Sequence, residues 1–300
     1  MLALVGPTAS GKSDVALGLA EQFGAEIVCA DSMTVYRGMD IGTAKPSPAA
    51  RARIRHHLLD VADPGESFSV ARYQGLARAV LGEIEARGAV PLVVGGSGLY
   101  FRAAVDDFDF PPTDPAVRTR LEIEDTESLA ARLKREDPEA ATFVDLANRR
   151  RVVRALEVIE VTGRPFSSFR DAWGRYTPAI VAGLDPSFPD LDHRIERRLE
   201  GMLDEGLLDE VRALIKDGYR DALTASQAIP YRQAVDLVED RMTTEEFLEQ
   251  AARATRRLVR RQRSWFRRDP RIRWFEADQS ERAAAQVGAY YSERLKEGRP

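Results

Sequence analysis

The chain has one cysteine, Cys29, and three histidines in 300 residues. That excludes a disulfide framework and a cysteine-rich zinc site. No apolar run approaches the roughly 20 residues that span a bilayer. The first residues carry neither the basic leader nor the small-residue cleavage segment of an export signal, so the chain is read as cytoplasmic with no membrane partner. Internal repeats and low-complexity tracts are also missing. What is present, 44% hydrophobic and 31% charged residues, is the composition of a folded protein with a polar surface. The length fits one large α/β domain, or a core domain with an insertion. Cys29 lies in the apolar run Ile27 to Ala30 and is expected in the core.

The strongest motif is Gly6-Pro7-Thr8-Ala9-Ser10-Gly11-Lys12-Ser13, a complete G-x-x-x-x-G-K-[ST] phosphate loop. It follows a strand-like run, Leu2 to Val5, and precedes a helix-like stretch, the context this motif requires. Loop N–H groups and the helix dipole favour an anion, and Lys12 adds a point charge. Ser13 is placed to hold Mg²⁺. A di- or triphosphate is the expected ligand.

Alternation of strand (Leu2–Val5, Glu26–Ala30, Val90–Val94) and helix (Lys12–Phe23, Ser69–Arg87) over the first hundred residues predicts a parallel sheet with helices on its faces. From Asp106 to Pro115 the pattern breaks into an acidic, aromatic, proline-rich stretch. Residues 116–163 read as helices only. Trp173 to Tyr176 is irregular, and a strand resumes at Ile180–Leu184. The expected organisation is therefore an α/β, P-loop NTPase-like core, residues 1–112 and 177–300, with a helical insertion at 113–176. In the core's second half, helices are expected at 192–205, 207–217, 231–238 and 244–267. A strand at 272–275 and a helix to about 296 close it.

Two further absences bear on the chemistry. Val90–Val94 ends in Gly95-Gly96-Ser97-Gly98, where an ATPase would place a metal-holding carboxylate. Guanine-reading Asn-Lys-x-Asp signatures are missing. A carboxylate instead follows the second strand, Asp31. It could act as a general base beside the bound phosphates or cap a local turn with Ser32, and its position leaves both open. The net charge of −4 conceals ten arginines and one acidic residue between Arg253 and Arg273. A second cluster holds Arg149, Arg150, Arg151 and Arg154. Together the clusters fit a polyanion docked on the protein, with solvated helix faces as the plainer alternative.

Asp31-Ser32-Met33-Thr34-Val35-Tyr36-Arg37-Gly38-Met39-Asp40-Ile41-Gly42-Thr43-Ala44-Lys45-Pro46 resembles the signature of the tRNA dimethylallyltransferases, also called isopentenyl-tRNA transferases. Gly6–Ser13, His56 to Asp60, Gly95 to Tyr100, Arg154 to Val158, Arg194 to Arg198 and Thr255 to Trp265 resemble further blocks of that family, in family order. Thr34 stands where the family often has Gln, and Pro230 where its Ile-Gly-Tyr segment has Gly.

The resemblance implies transfer of a dimethylallyl group from dimethylallyl diphosphate to N6 of the adenosine 3′ of the anticodon in tRNA. It implies Asp31 as base, with Lys12, Ser13 and Arg198 completing the catalytic set. Gly6, Pro7, Thr8, Ala9, Ser10, Gly11, Lys12 and Ser13 would hold the diphosphate, with Mg²⁺ on Ser13. The tRNA anticodon stem-loop would meet Asp31, Ser32, Met33, Thr34, Ser97, Arg118, Arg150, Arg151, Val152, Val153, Arg154, Arg256 and Arg260. Tyr100 and Phe101 either line an allyl pocket or belong to the core. The chain is read as a monomer. A small-molecule or nucleotide kinase, a transferase acting on free AMP, ADP or ATP, and a non-catalytic P-loop RNA-binding module are the competing readings.

Overall fold

The computed structural model describes residues 1–108, 110–170, 174–277 and 279–298. Trp173, at the head of the irregular stretch read from the sequence, lies outside them. The chain divides into two compact units, Met1–Val105 with Pro178–Pro300, and Asp106–Thr177.

The first unit is built on six parallel strands: β1 (Leu2–Val5), β2 (Ala25–Cys29), β3 (His56–His57), β4 (Val90–Gly95), β5 (Ile180–Leu184) and β6 (Ile272–Phe275). Their order across the sheet is β3-β2-β4-β1-β5-β6. Every pairing is parallel, with Leu2 opposite Leu92 on one side and Ile180 on the other. Parallel sheets are covered on both faces, so their strands are continuously apolar rather than alternating. β1 and β5 are buried at every residue. Leu2, Leu4, Ile27, Leu92, Ile180 and Ala182 pack into one core with Val15 and Leu19 of α1 (Lys12–Phe23) and Val287 and Tyr291 of α13 (Ser280–Lys296). Ala3, Val5, Val28, Val93 and Val181, equally buried, point to the opposite face by the two-residue period of a strand. There, α3 (Val70–Ala86) and α4 (Gly98–Val105) pack on β4 and on each other. Each fully buried aliphatic side chain contributes on the order of 2 kcal/mol.

The remaining helices of this unit are α2 (Pro48–Arg53), α9 (Phe188–Asp204), α10 (Leu207–Lys216), α11 (Tyr231–Val238) and α12 (Thr244–Phe266). A capping box at Thr243 and Glu246 starts α12, satisfying two otherwise unpaired N–H groups. α9 begins at Phe188, four residues ahead of the sequence expectation, because Pro189 suits the first turn of a helix. α2 and the two-residue β3 were not anticipated: both are too short to show a period. No helix among the described residues is long and apolar enough to cross a membrane.

The second unit is helical: α5 (Pro115–Leu121), α6 (Thr126–Glu136), α7 (Ala140–Phe143) and α8 (Arg149–Thr162). Asp114, Asp125 and Asn148 cap α5, α6 and α8 through their side chains. Leu121, Leu129, Leu133, Val152, Val153 and Leu156 form its own core. The two ends of the unit are tied together, Asp106 Oδ1 accepting from Thr177 N at 3.1 Å and Thr177 Oγ1 from Asp107 N at 2.9 Å. Inside lies Glu157, whose side chain is 0% exposed. It accepts from Arg118 and Arg154 at 2.8 Å each and from Asp114 N at 3.1 Å. Burial alone would raise its pKa, but the two guanidinium groups and the amide hold it below the usual carboxylate value.

A native pKa below the unfolded one gives stability that is complete above the unfolded value, about 4.3 for Glu. That stability drains as pH falls through the native value. Glu157→Gln should therefore loosen the unit by about 1–3 kcal/mol at neutral pH and flatten the stability loss of its helices between about pH 5 and 3. Amide hydrogen exchange across α5 and α8, followed against pH, checks both.

Candidate functional site

The site forms where the carboxyl ends of β1, β4 and β2 lie side by side, the usual ligand position in an open parallel sheet. β1 runs into the phosphate loop, β4 into Gly96-Ser97-Gly98, and β2 into Asp31. β4 sits between the other two, so its turn must leave them room. A Cβ at Gly95 would lie 2.0 Å from Ala30 O. Only glycine permits that approach. Ala30 N donates to Val94 O at 2.8 Å, and Ser97 N to Ala30 O at 3.4 Å, stitching the two strand ends together.

Two adjoining chambers open here. The inner one, about 490 Å³, is lined by the phosphate loop from Thr8 to Ser13, by Thr34, Lys45 and His56, and by apolar Ile27, Cys29, Leu59 and Val94. The outer one, about 420 Å³, is lined by Ser32, Met33, Ser97, Leu99 and Met202 and by Thr255, Leu258, Arg261 and Trp265 of α12. Thr8, Asp31, Gly96, Arg198 and Gln262 line both, and mark the seam between them.

The seam is electrostatically compact. Burial draws the Lys12 ammonium down to about 7; Arg198 pushes it the same way, and Asp31 opposes. Burial likewise lowers Arg198, with Asp31 and Glu205 opposing. Two cationic side chains thus share a desolvated corner with one carboxylate, and a bound polyanion would offset the cost of their desolvation. Lys12 Nζ donates to Pro7 O at 2.5 Å and to Ser10 Oγ at 3.3 Å. Asp31 Oδ1 accepts from Met33 N at 2.8 Å. The turn-closing role the sequence left open is thus occupied by Oδ1. Ser13 is exposed at the first turn of α1, and no cluster of three or more His, Cys, Asp or Glu among the described residues could hold a metal by itself.

Segment 39–46 is held beside the seam by contacts that the sequence did not disclose. Glu210 of α10 accepts from Asp40 N and Ile41 N at 2.9 Å and from Tyr231 OH at 2.5 Å, and Tyr231 OH accepts from Gly42 N at 3.1 Å. Lys45, whose side chain is 1% exposed, is paired to Asp40 at 2.7 Å and Asp60 at 2.5 Å. Pro230 lines the outer chamber just ahead of α11, so the departure from the family's glycine falls on the site wall. Thr34 is 9% exposed, lines the inner chamber, and its Oγ1 has no hydrogen-bond partner among the described residues. Burial pushes the Cys29 thiol up to about 12, which makes it inert. Tyr100 and Phe101 belong to the core, Tyr100 packed on Tyr73 with ring centroids 4.5 Å apart.

The arginines divide into two kinds. Arg256 is anchored to Asp192 at 2.8 Å and Glu196 at 2.5 Å, both on α9. Arg257, Arg260 and Arg261 on the same helix are exposed, and no ion pair among the described residues engages them. In the second unit, Arg118 and Arg154 serve Glu157, and Arg154 also donates to Pro111 O and Pro112 O. Arg150 and Arg151 are exposed. Val152 and Val153, grouped with the RNA-facing run by the sequence, are 0% and 3% exposed and turn inward. A helix that shows arginines at 150 and 151 must bury the residues next to them, so these two valines offer no side chain to a ligand. Gln262 was read only as part of a family string, yet it reaches the seam. Its one sequence signal is a neutral amide inside an arginine run.

The IPP transferase family model matches residues 34–269. The chain is 52% identical over 288 residues to the tRNA dimethylallyltransferase of Thermobifida fusca (strain YX), covering 93% of this chain and 90% of that one. Its structure is similar to the full-length tRNA isopentenylpyrophosphate transferase of Bacillus halodurans, with TM-score 0.73 and 36% identity, over 99% of this chain and 96% of that one. The same fold recurs in a eukaryotic dimethylallyltransferase solved acting on tRNA, with TM-score 0.87 and 24% identity, over 100% of this chain and 80% of that one. The sheet is thus the P-loop NTPase-like core expected from the sequence, and the chain belongs to the IPP transferase family, a family of transferases.

Proposed function

We propose that this transferase moves a dimethylallyl group from dimethylallyl diphosphate to N6 of the adenosine 3′ of the anticodon in tRNA. The observation that carries the reading is the seam. A phosphate loop with two half-buried cationic side chains meets a carboxylate there, and beyond it a second chamber opens under an arginine-bearing helix. Family membership selects transfer of the prenyl group over the kinase reading.

In the reaction, the C1–O bond of the donor breaks and a C1–N6 bond forms, while diphosphate leaves with the electron pair. The loop amides of Thr8 to Ser13, Lys12 and Arg198 would stabilise the charge growing on the leaving group. Adenine N6 is a weak nucleophile because its lone pair is delocalised into the ring. Asp31 Oδ2 would accept the N6 proton as the bond forms. Mg²⁺, if bound, would neutralise diphosphate charge. The Ser13 hydroxyl would hold it together with phosphate oxygens and water, a donor set that suits this ion.

An anticodon loop is single-stranded, so turning its base toward Asp31 costs only about a few kcal/mol. Ser32, Met33 and Ser97 line the chamber that would receive the base. Thr34 lines the inner chamber, so it would lie nearer the donor than the acceptor. Arg257, Arg260 and Arg261 would meet RNA phosphates, as would Arg150 and Arg151 of the helical unit. The protein would act as a cytoplasmic monomer.

The reading is tested by incubating the protein with dimethylallyl diphosphate and tRNA lacking the modification. Nucleoside mass spectrometry should then find N6-dimethylallyladenosine, and transfer to free AMP in place of an anticodon stem-loop would favour the nucleotide-acceptor alternative. Asp31→Ala should lower single-turnover prenyl transfer by about 10²–10⁴-fold while stem-loop affinity stays within about threefold. Normal turnover would remove the base role. Arg260→Ala should reduce the slope of log Kd against log salt by about one unit. Arg256→Ala should act through lost packing of α9 on α12, which thermal unfolding would register.

A further inference from the structure

Gln262 is the point at which the arginine helix touches the phosphate loop. Its Oε1 accepts from Thr8 N at 2.9 Å. Its carboxamide nitrogen lies over the neighbouring turn, where a Cβ at Gly96 would be 2.8 Å from Nε2 and 3.2 Å from Gly6 O. One side chain therefore spans the turns that end β1 and β4, and it lines both chambers. The residue type suits the place. A carboxamide oxygen satisfies a loop N–H without adding charge, whereas a carboxylate would oppose an incoming diphosphate.

The same helix presents Arg257, Arg260 and Arg261 outward, and Arg256 binds it to α9 through Asp192 and Glu196. α9 in turn carries Arg198 to the seam. An anion landing on the exposed arginines thus meets a two-helix unit that reaches the phosphate loop both through a charge and through a hydrogen bond. Of these two, the hydrogen bond is the one made to the loop backbone, so it can set the loop's conformation directly.

We propose that Gln262 is a positioning residue, through which RNA docked on α12 fixes Thr8 and so tightens the phosphate loop on the donor. The inference rests on the reading of this site as a tRNA prenyltransferase. With RNA holding α12, the Gln262–Thr8 bond is held too, and the loop no longer loses conformational freedom when diphosphate binds. Coupling of this kind is reciprocal: the donor must tighten RNA binding by the same factor.

The experiment uses the full-length protein, an anticodon stem-loop RNA and an unreactive thiolo analogue of dimethylallyl diphosphate. Analogue affinity is measured by calorimetry with and without saturating RNA. The wild-type protein should bind the analogue at least about fivefold more tightly when RNA is present, the lower end of ordinary coupling. Gln262→Met, which keeps the volume and removes the hydrogen bond, should bring that ratio to within twofold of unity and leave RNA affinity in the absence of analogue within threefold.

Gln262→Glu keeps an acceptor for Thr8 N–H. It should weaken the analogue at least tenfold in both conditions yet preserve the ratio, an outcome that a merely structural role does not produce. It also keeps the inference testable should Gln262→Met fail to fold. A wild-type ratio of unity, a ratio unchanged in Gln262→Met, or one lost in Gln262→Glu overturns the proposal. If the wild-type protein neither binds nor prenylates the stem-loop, the reading of the site falls instead; if it does both and the ratios fail, only the role of Gln262 falls.

Discussion

Everything at the site depends on β4 lying between β1 and β2 with its end stripped of side chains. The phosphate loop and Asp31 belong to strands that do not touch each other. They can share a cavity only because Gly95 lets Ala30 come against the backbone of the strand between them. This constraint also explains why the carboxylate stands beside the phosphates rather than at the end of β4, where a metal-holding residue sits in phosphate-hydrolysing relatives of the fold. A side chain there would separate the two halves of the site.

The charges at the seam follow from that closeness. Lys12 and Arg198 are both desolvated, Arg198 further lowers the affinity of Lys12 for its proton, and Asp31 offsets part of the cost at each. Charges in such a place are held ready for a ligand of opposite sign, because preorganised groups need no rearrangement when negative charge develops. The other arginines follow a different logic. Arg118, Arg154 and Arg256 each satisfy carboxylates within their own unit. An arginine-rich stretch is therefore partly framework and partly interface.

The phosphate loop, the strands around it and the segment from Asp31 to Pro46 were legible in the sequence because their information is local: a fixed spacing, an apolar run, a turn. The helical stretch after residue 115 was legible for the same reason. The short β3 and α2 were not, since neither is long enough to show a period. Two partners of Glu157, Arg118 and Asp114, lie 39 and 43 residues away in the chain, and Gln262 meets Thr8 from the far end of it. No pattern within a window connects such residues. Thus the sequence could count the arginines from Arg149 to Arg154 but not say which faced inward. It could raise two roles for Asp31 but not show that Oδ1 closes the turn at Met33.

The register of β1 has a consequence for synthesis. Leu2 pairs with Ile180, and Ala3 O accepts from the hydroxyl of Tyr291. Of the six strands, the one that emerges earliest from the ribosome thus waits for a neighbour, β5, that is made only after the helical unit. Its free edge and apolar face stay uncovered while the helical unit, self-contained between Asp106 and Thr177, is free to form. Long-range parallel pairing is slow and leaves unpaired strand edges open to other chains. Between translation of β1 and arrival of β5, that edge is open to pairing with other chains.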